Sequence, residues 1–418
     1  MTFGGSIAKN TAGGEARSVL DELVREGARQ LLLTALESEV QSFVEEHSGE
    51  RDESGKRWIV RNGYLPERSV LTGAGELEVR QPRARDRRGK HSDESVRFES
   101  KILPRYLRRS KAMDELIPWL YLRGVSSGDF SEALTALVGS EASNVSANTV
   151  TRLTAKWSDE QESWARRDLS KAEYVYLWAD GIHFNVRLEE DRQCILVLMG
   201  ARRDGKKELV GLLDGYRESE QNWRELLVSL KSQGLRMAPK LAVGDGALGF
   251  WAALRKVFPE TREQRCWVHK TANVLNKLPK RLHGQAKADL HEIWMAETRD
   301  NAFEAFDVFL EKYSVRYPKA TQCLTKDRDA LLTFYDFPAE QWAHLRTTNP
   351  IESTFATVRL RHRRTKGSGS RRACFAMVFK LVQAAAKKWR RLRGYEKISF
   401  LFEGRVFRDG ILQERDAA

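Results

Sequence analysis

Residues 174–269 constrain the fold most, because three strand-like runs follow one another there and then give way to alternating helix and strand. YVYLWADGIHFNVRL, QCILVLMGARR and KKELVGLLDGYRES are rich in β-branched and aromatic residues, with Asp204-Gly205 marking a tight turn between the last two. That succession predicts an antiparallel meander. QNWRELLVSLKSQGL has helical spacing, KLAVGDGA is a short apolar strand, LGFWAALRKVF a helix and REQRCWVHK a further strand. Strands alternating with helices predict a mixed sheet covered by helices, an α/β core.

The flanking segments differ. Residues 15–47 read as one or two amphipathic helices, for core packing or a dimer contact. Residues 56–90 read as a small strand pair around turns at Asn62-Gly63 and Gly73-Ala74-Gly75, feeding a basic arm. From 101 to 170 the pattern is helical again. Gly124 and Gly139 punctuate it, and Ser146 can cap a helix carrying Thr149, Arg152 and Lys156, which together fit a helix-turn-helix that would bind DNA. Residues 270–345 are helical almost throughout, and TTNPIESTFATVRLRHRR opens another helix. The expected divisions are 1–55, 56–100, 101–170, 171–269, a helical stretch over 270–345, and 346–418, which holds the helix of Glu352 and a basic tail.

Three carboxylates stand out. Asp180 lies within the first strand between apolar neighbours, where a lone charge is costly to desolvate. A turn with Gly181 is the plain alternative, although the strand pattern continues through HFNVRL. Asp245 ends a strand between Gly244 and Gly246, at the carboxyl edge where open α/β sheets gather ligands, and a strand-ending turn would read the same. Glu352 follows Asn349 as helix cap and Pro350 as first helical residue, so capping alone accounts for its spacing. A carboxylate in a first turn is also kept ionised by the helix dipole and suits a cation. Magnesium takes hard oxygen ligands, few of them from protein, so three carboxylates suffice for two ions. Such a pair, roughly 3.5 to 4 Å apart, activates the attacking oxygen and stabilises the leaving one at phosphorus. Cys266 and His269 have half the spacing of a zinc site with no second pair, and packing beside the carboxylates is their expected role.

The formal charge is +13 and the pI near 9.5. Residues 353–418 hold 17 Lys and Arg against 5 Asp and Glu, a net +12, so nearly the whole excess lies there. Charge runs are commonly solvated faces. A tail this one-sided repels itself unless phosphates supply counter-charge, so Arg359, Arg361, Arg363, Arg364, Lys366, Arg371, Arg372, Lys387 and Lys388 are expected to meet the DNA backbone without reading its sequence. With 41% hydrophobic residues in 418, two or three domains with cores are expected. No run approaches the roughly 18 apolar residues of a membrane span, and the first residues lack the apolar core of a secretory signal. Four scattered cysteines, Cys194, Cys266, Cys323 and Cys374, read as reduced thiols. A cytoplasmic, nucleoid-associated protein is expected.

Three strands, helix, strand, helix, strand, helical insert, helix is the order of a ribonuclease-H-like nuclease core. The segments RNGYLPERSVLTGAGELEVRQPRAR, WADGIHF, GLLDGYRESEQNW, LAVGDGALGFW, QRCWVHKTANVLNKLP, LLTFYDFPAEQW and RTTNPIESTFATVRLR, from about Arg61 to Arg393, resemble Mutator-type transposases of bacterial insertion sequences. The resemblance implies a ribonuclease-H-like catalytic domain with a mixed sheet, an all-helical insertion between the second Asp and the Glu, and a mainly helical N-terminal DNA-binding region. It places Asp180, Asp245 and Glu352 on the family's acidic positions and Cys266 and His269 on its CxxH motif. It further implies two Mg2+ (or Mn2+) ions, double-stranded DNA as partner (terminal inverted repeats and target), strand cleavage and transfer, and a homodimer or higher oligomer. The competing readings are a domesticated DNA-binding protein and a general ribonuclease-H-like nuclease. Three intact carboxylates weigh against the first, because a binder would gain only phosphate repulsion from them. An N-terminal region of about 170 residues weighs against the second.

Overall fold

The computed structural model describes residues 8–88, 94–125, 129, 132–134, 147–186, 192–215, 217–246, 248–364, 367–368 and 370–414. The chain divides into two compact units, Met1–Thr151 and Arg152–Ala418.

The first unit is built on a single helix, α1 (Ala8–Glu46), whose Leu36, Val40 and Val44 recur every four residues and bury one stripe. Leu36 packs in a cluster with Val70, Leu77, Val79 and Leu103, and Val40 and Val44 pack with Ile59. The expected strand pair is four strands in two antiparallel pairs, β1 (Ile59–Tyr64) with β4 (Pro82–Asp86) and β2 (Arg68–Thr72) with β3 (Gly75–Val79). Gly73 and Ala74 turn β2 into β3. Asn62-Gly63 makes no turn. Gly63, at φ 65°, absorbs a bulge inside β1 where the register shifts between Arg61 and Tyr64. The start of the basic arm is strand β4, and Arg88 beyond it is paired with Glu50 at 2.8 Å and Asp86 at 2.9 Å. Helix α2 (Lys111–Arg123) is closed by Gly124 in the left-handed conformation, whereas Gly139 and Ser146 of the expected helix-turn-helix lie outside the described residues. Helix α3 (Ala147–Trp164) runs across the division between the units, with Arg152 and Lys156 exposed.

The second unit has the expected α/β architecture. β5 (Tyr174–Phe184), β6 (Gln193–Arg202) and β7 (Lys207–Gly215) form the antiparallel meander. β8 (Leu241–Gly244) and β9 (Arg262–Arg265) add to β5 in parallel, giving the order β7-β6-β5-β8-β9. β5 is central and buried along nearly its whole length, as a strand covered on both faces must be. On one face α4 (Glu220–Ser232) and α5 (Leu248–Val257) bring Trp223, Leu226, Phe250 and Trp251 into a cluster with Leu177 and Ala179. On the other, Trp178 Nε1 donates to His344 O at 2.9 Å and Phe184 packs on His362 of the helix that carries Glu352. α6 (Trp267–Leu275), α7 (His283–Met295), α8 (Arg299–Tyr313), α9 (Pro318–Thr325) and the short α10 (Arg328–Leu331) and α11 (Trp342–Leu345) lie in the helical stretch between β9 and that helix. Among the described residues, no helix is long and apolar enough to cross a membrane.

Candidate active site

The parallel ladder places the first two carboxylates. β5 and β8 pair Ala179 with Gly244, and β8 and β9 pair Gly244 with Arg265. One step further along each chain stand Asp180, Asp245 and Cys266, a row across three neighbours about 4.8 Å apart. The Cys266 N–H still donates to Gly244 O at 2.8 Å, so pairing persists to that row. Ala179 belongs to the core beneath α4 and α5, and alternation therefore turns Asp180 to the opposite face. Asp245 is fixed through its backbone, its carbonyl accepting from Trp251 Nε1 at 2.9 Å and Arg265 Nη1 at 2.8 Å, both from buried side chains.

Glu352 arrives on α12 (Asn349–Arg364), which packs against β5. Its N–H donates to Thr348 O at 3.0 Å, so Thr348, one residue before Asn349, opens the helix. The Thr348 hydroxyl, fully buried, lies 2.7 Å from Glu352 Oε1 and 3.3 Å from Cys266 Sγ. It has one proton, and the closer carboxylate takes it, while the Thr348 backbone N–H donates to the sulfur at 3.3 Å. Cys266 thus ties the start of α12 to the end of the sheet. His269, in the first turn of α6, sets Nε2 3.8 Å from Glu352 Oε1, and ligand atoms of Cys266, His269 and Glu352 lie within 4.8 Å of one another. All four cysteines are free.

The charges here are unbalanced. Burial first, then the negative charge of Glu218, raises Asp180 from 3.8 to about 7, with Asp245 adding to the shift and His269 opposing it. His269 is raised to about 9, first by its hydrogen bond with Cys266 and further by Asp245 and Asp180. The ladder sets Asp180 beside Asp245, and His269, 3.8 Å from Glu352, feels the charge of both aspartates. Glu218 and His183, 3.4 Å apart, belong to the same neighbourhood and were missed in the sequence. The available signal was an acid between the third strand and the Ser219 cap of the next helix.

Of the basic residues expected on DNA, Arg359, Arg363, Arg364, Arg372, Lys387 and Lys388 are exposed, and Lys366 lies outside the described residues. Arg361 is buried, because it continues the inward stripe of Ile351, Thr354, Phe355 and Val358. Arg371, at the start of α13 (Arg371–Ala386), is half-buried and pairs with Asp214 at 2.9 Å. Neither presents its guanidinium as a tail counted only by charge would suggest.

The family model described as "Transposase, Mutator family" matches residues 6–392. The transposase for insertion sequence element IS6120 of Mycolicibacterium smegmatis is 54% identical over 303 residues, 72% of this chain and 93% of that protein. The transposase for element IST2 of Acidithiobacillus ferrooxidans is 51% identical over 280 residues, 67% of this chain and 95% of that one. The transposase for element ISRM5 of Rhizobium meliloti (strain 1021) is 27% identical over 382 residues, covering 91% and 92%.

Proposed function

The chain belongs to the Mutator family of transposases, and we propose that it cuts and joins the DNA ends of a mobile element with Asp180, Asp245 and Glu352 as ligands of two divalent cations, Mg2+ or Mn2+. The observation that carries this reading is the row of Asp180 and Asp245 on adjacent parallel strands, with Glu352 delivered to the same sheet by α12. The sheet order, third-second-first-fourth-fifth with the first three antiparallel, supports a ribonuclease-H-like core. The helical stretch between Asp245 and Glu352 then is its insertion.

The donor set fits hard cations. It offers carboxylate oxygens, and Asp180, raised first by burial and then by the negative charge of Glu218 and Asp245, is a group whose ionised form added positive charge would favour. Bound there, such ions would polarise the scissile phosphate and activate the attacking water or 3′-hydroxyl. The chain's own groups set the geometry. The ladder spaces the two aspartates, Trp251 and Arg265 hold the backbone of Asp245, and Thr348 orients Glu352. His269, charged near neutrality, can hold a proton beside Glu352 or face a phosphate oxygen.

Strand transfer with purified protein, Mg2+ and labelled DNA carrying the element's own ends tests the proposal. Joined products from the wild type and none from Asp245→Asn are expected. Cleavage without joining would make the protein a nuclease, and equal joining by the variant would remove Asp245 from the site.

Phosphate binding falls to the exposed Arg359, Arg363, Arg364, Arg372, Lys387 and Lys388, and to Arg152 and Lys156 in the helical segment proposed to engage the terminal inverted repeats. Replacing Lys387 and Lys388 with Ala is expected to flatten the slope of log K against log salt by about 0.9 for each phosphate that the protein no longer neutralises. An unchanged slope would leave these two lysines as solvated surface. Two DNA ends must be joined in concert, so the acting form is at least a homodimer, and its substrate places it at the nucleoid. Sedimentation with end DNA that shows one chain per pair of ends would exclude the dimer.

A further inference from the structure

We infer that Glu218 is a fourth carboxylate of the cation site, acting beside Asp180, Asp245 and Glu352. The inference rests on the three-carboxylate reading above and extends it to a residue in the stretch between β7 and α4.

Two glycines let Glu218 in. A Cβ on Gly181 would lie 2.5 Å from Glu218 Cδ and 2.7 Å from its Cγ, so the glutamate side chain fills the space left beside the residue that follows Asp180. A Cβ on Gly249 would lie 2.6 Å from Glu218 O and 2.7 Å from both Ser219 C and Glu220 N. Gly249 is four residues past Asp245, inside α5. The 218–220 segment is therefore pressed between the neighbour of one proposed ligand and the helix that follows the other. At Gly249 any side chain would force that backbone away, and at Gly181 it would displace the Glu218 side chain.

The placement is unfavourable for a purely structural acid. Glu218 is half-buried, its charge acts on Asp180 more strongly than that of Asp245 does, and the groups that offset it are His183, whose Nε2 lies 3.4 Å away, and His269, which also feels the charge of Asp180 and Asp245. A carboxylate held by close packing against Gly249 and against Gly181, the residue after Asp180, and near enough for its charge to act on Asp180, is explained if these acids share a positively charged ligand. Cys194 lies within 4.8 Å of His183 and Glu218, yet it is fully buried in the hydrophobic core beneath α4 and α5. The oxygen of Glu218, with His183 steadying it, is the donor that matches the hard cation.

The test is a titration of the full chain with Mn2+ in the absence of DNA. Free Mn2+ is followed by electron paramagnetic resonance, and the Mn2+-induced rise in Tm is measured alongside. Glu218→Gln is expected to weaken Mn2+ binding about tenfold or more and to remove most of the Tm rise, without lowering Tm when no Mn2+ is present. Glu218→Asp should recover part of the affinity. Wild-type binding by Glu218→Gln overturns the inference. Should that variant fold poorly, Glu218→Asp becomes decisive, and wild-type affinity there overturns it equally. Asp245→Asn in the same titration separates the two readings. If it weakens binding and the Glu218 variants do not, only the fourth carboxylate falls; if neither does, the three-carboxylate site falls with it.

Discussion

Asp180→Asn is expected to abolish strand cleavage and joining while making the metal-free protein more stable. If Asp180 is a cation ligand as proposed, a loss of at least about a thousandfold, about 4 kcal/mol in activation free energy, is the size expected for its removal. The stability gain follows from the raised pKa. Folding lifts Asp180 from 3.8 to about 7, first through burial and then through Glu218. A carboxylate raised in this way supports the fold fully below its unfolded pKa, and that support is lost as pH rises through the folded value. The neutral amide therefore stabilises most above pH 7, less between pH 7 and 4, and not at all below about pH 4. Thermal unfolding in chelator across pH 4 to 8 measures it, and a Tm of Asp180→Asn below that of the wild type at pH 8 would contradict this origin of the shift.

Trp178→Ala is expected to cost about 3–5 kcal/mol of stability, the range for deleting a large buried aromatic. Trp178 has no exposed surface, meets Tyr176 edge-on at 6.2 Å and donates its indole N–H to His344 O at 2.9 Å. It joins the central strand, two residues before Asp180, to the segment that leads into α12. Trp178→Phe keeps most of the volume and loses the hydrogen bond, for which about 1 kcal/mol is expected. Urea unfolding of both variants decides the matter. A destabilisation below about 1 kcal/mol for the alanine would mean that the ring is not part of the core's support.

The meander and the strands after it were legible because apolar runs of strand period stand in succession, and Asp180 and Asp245 because a charge inside or at the end of such a run is conspicuous. Other features depended on residues distant in the chain meeting in space. Glu218 is an ordinary acid in sequence and becomes notable only against Gly181 and Gly249, neither of them its neighbour along the chain. Arg371 meets Asp214 across 157 positions, so counting charge assigned it to the outside. Arg361 is different, because its place in the inward stripe was readable from helical period, and the one-sided charge of the tail obscured it. At Asn62-Gly63 a positive-φ glycine was read as a chain reversal, while the pairing of β1 with β4 uses it for a bulge.

The separation of the acids along the chain has a consequence for synthesis. Asp180 and Asp245 lie on strands that can pair as soon as residues up to 265 have emerged, but Glu352 comes 107 residues after Asp245, with the whole helical stretch in between. At roughly 5–20 residues per second, the 87 residues from Arg265 to Glu352 mean a wait of about 4 to 17 s on the ribosome. During that time a nascent chain can hold a nearly complete sheet and still lack the Glu352 carboxylate and the Thr348 and Cys266 hydrogen bonds that seat it. On the proposed reading of the site, DNA-cutting competence comes only once Glu352 is seated, and fragments that stop within the helical stretch are expected to be inert.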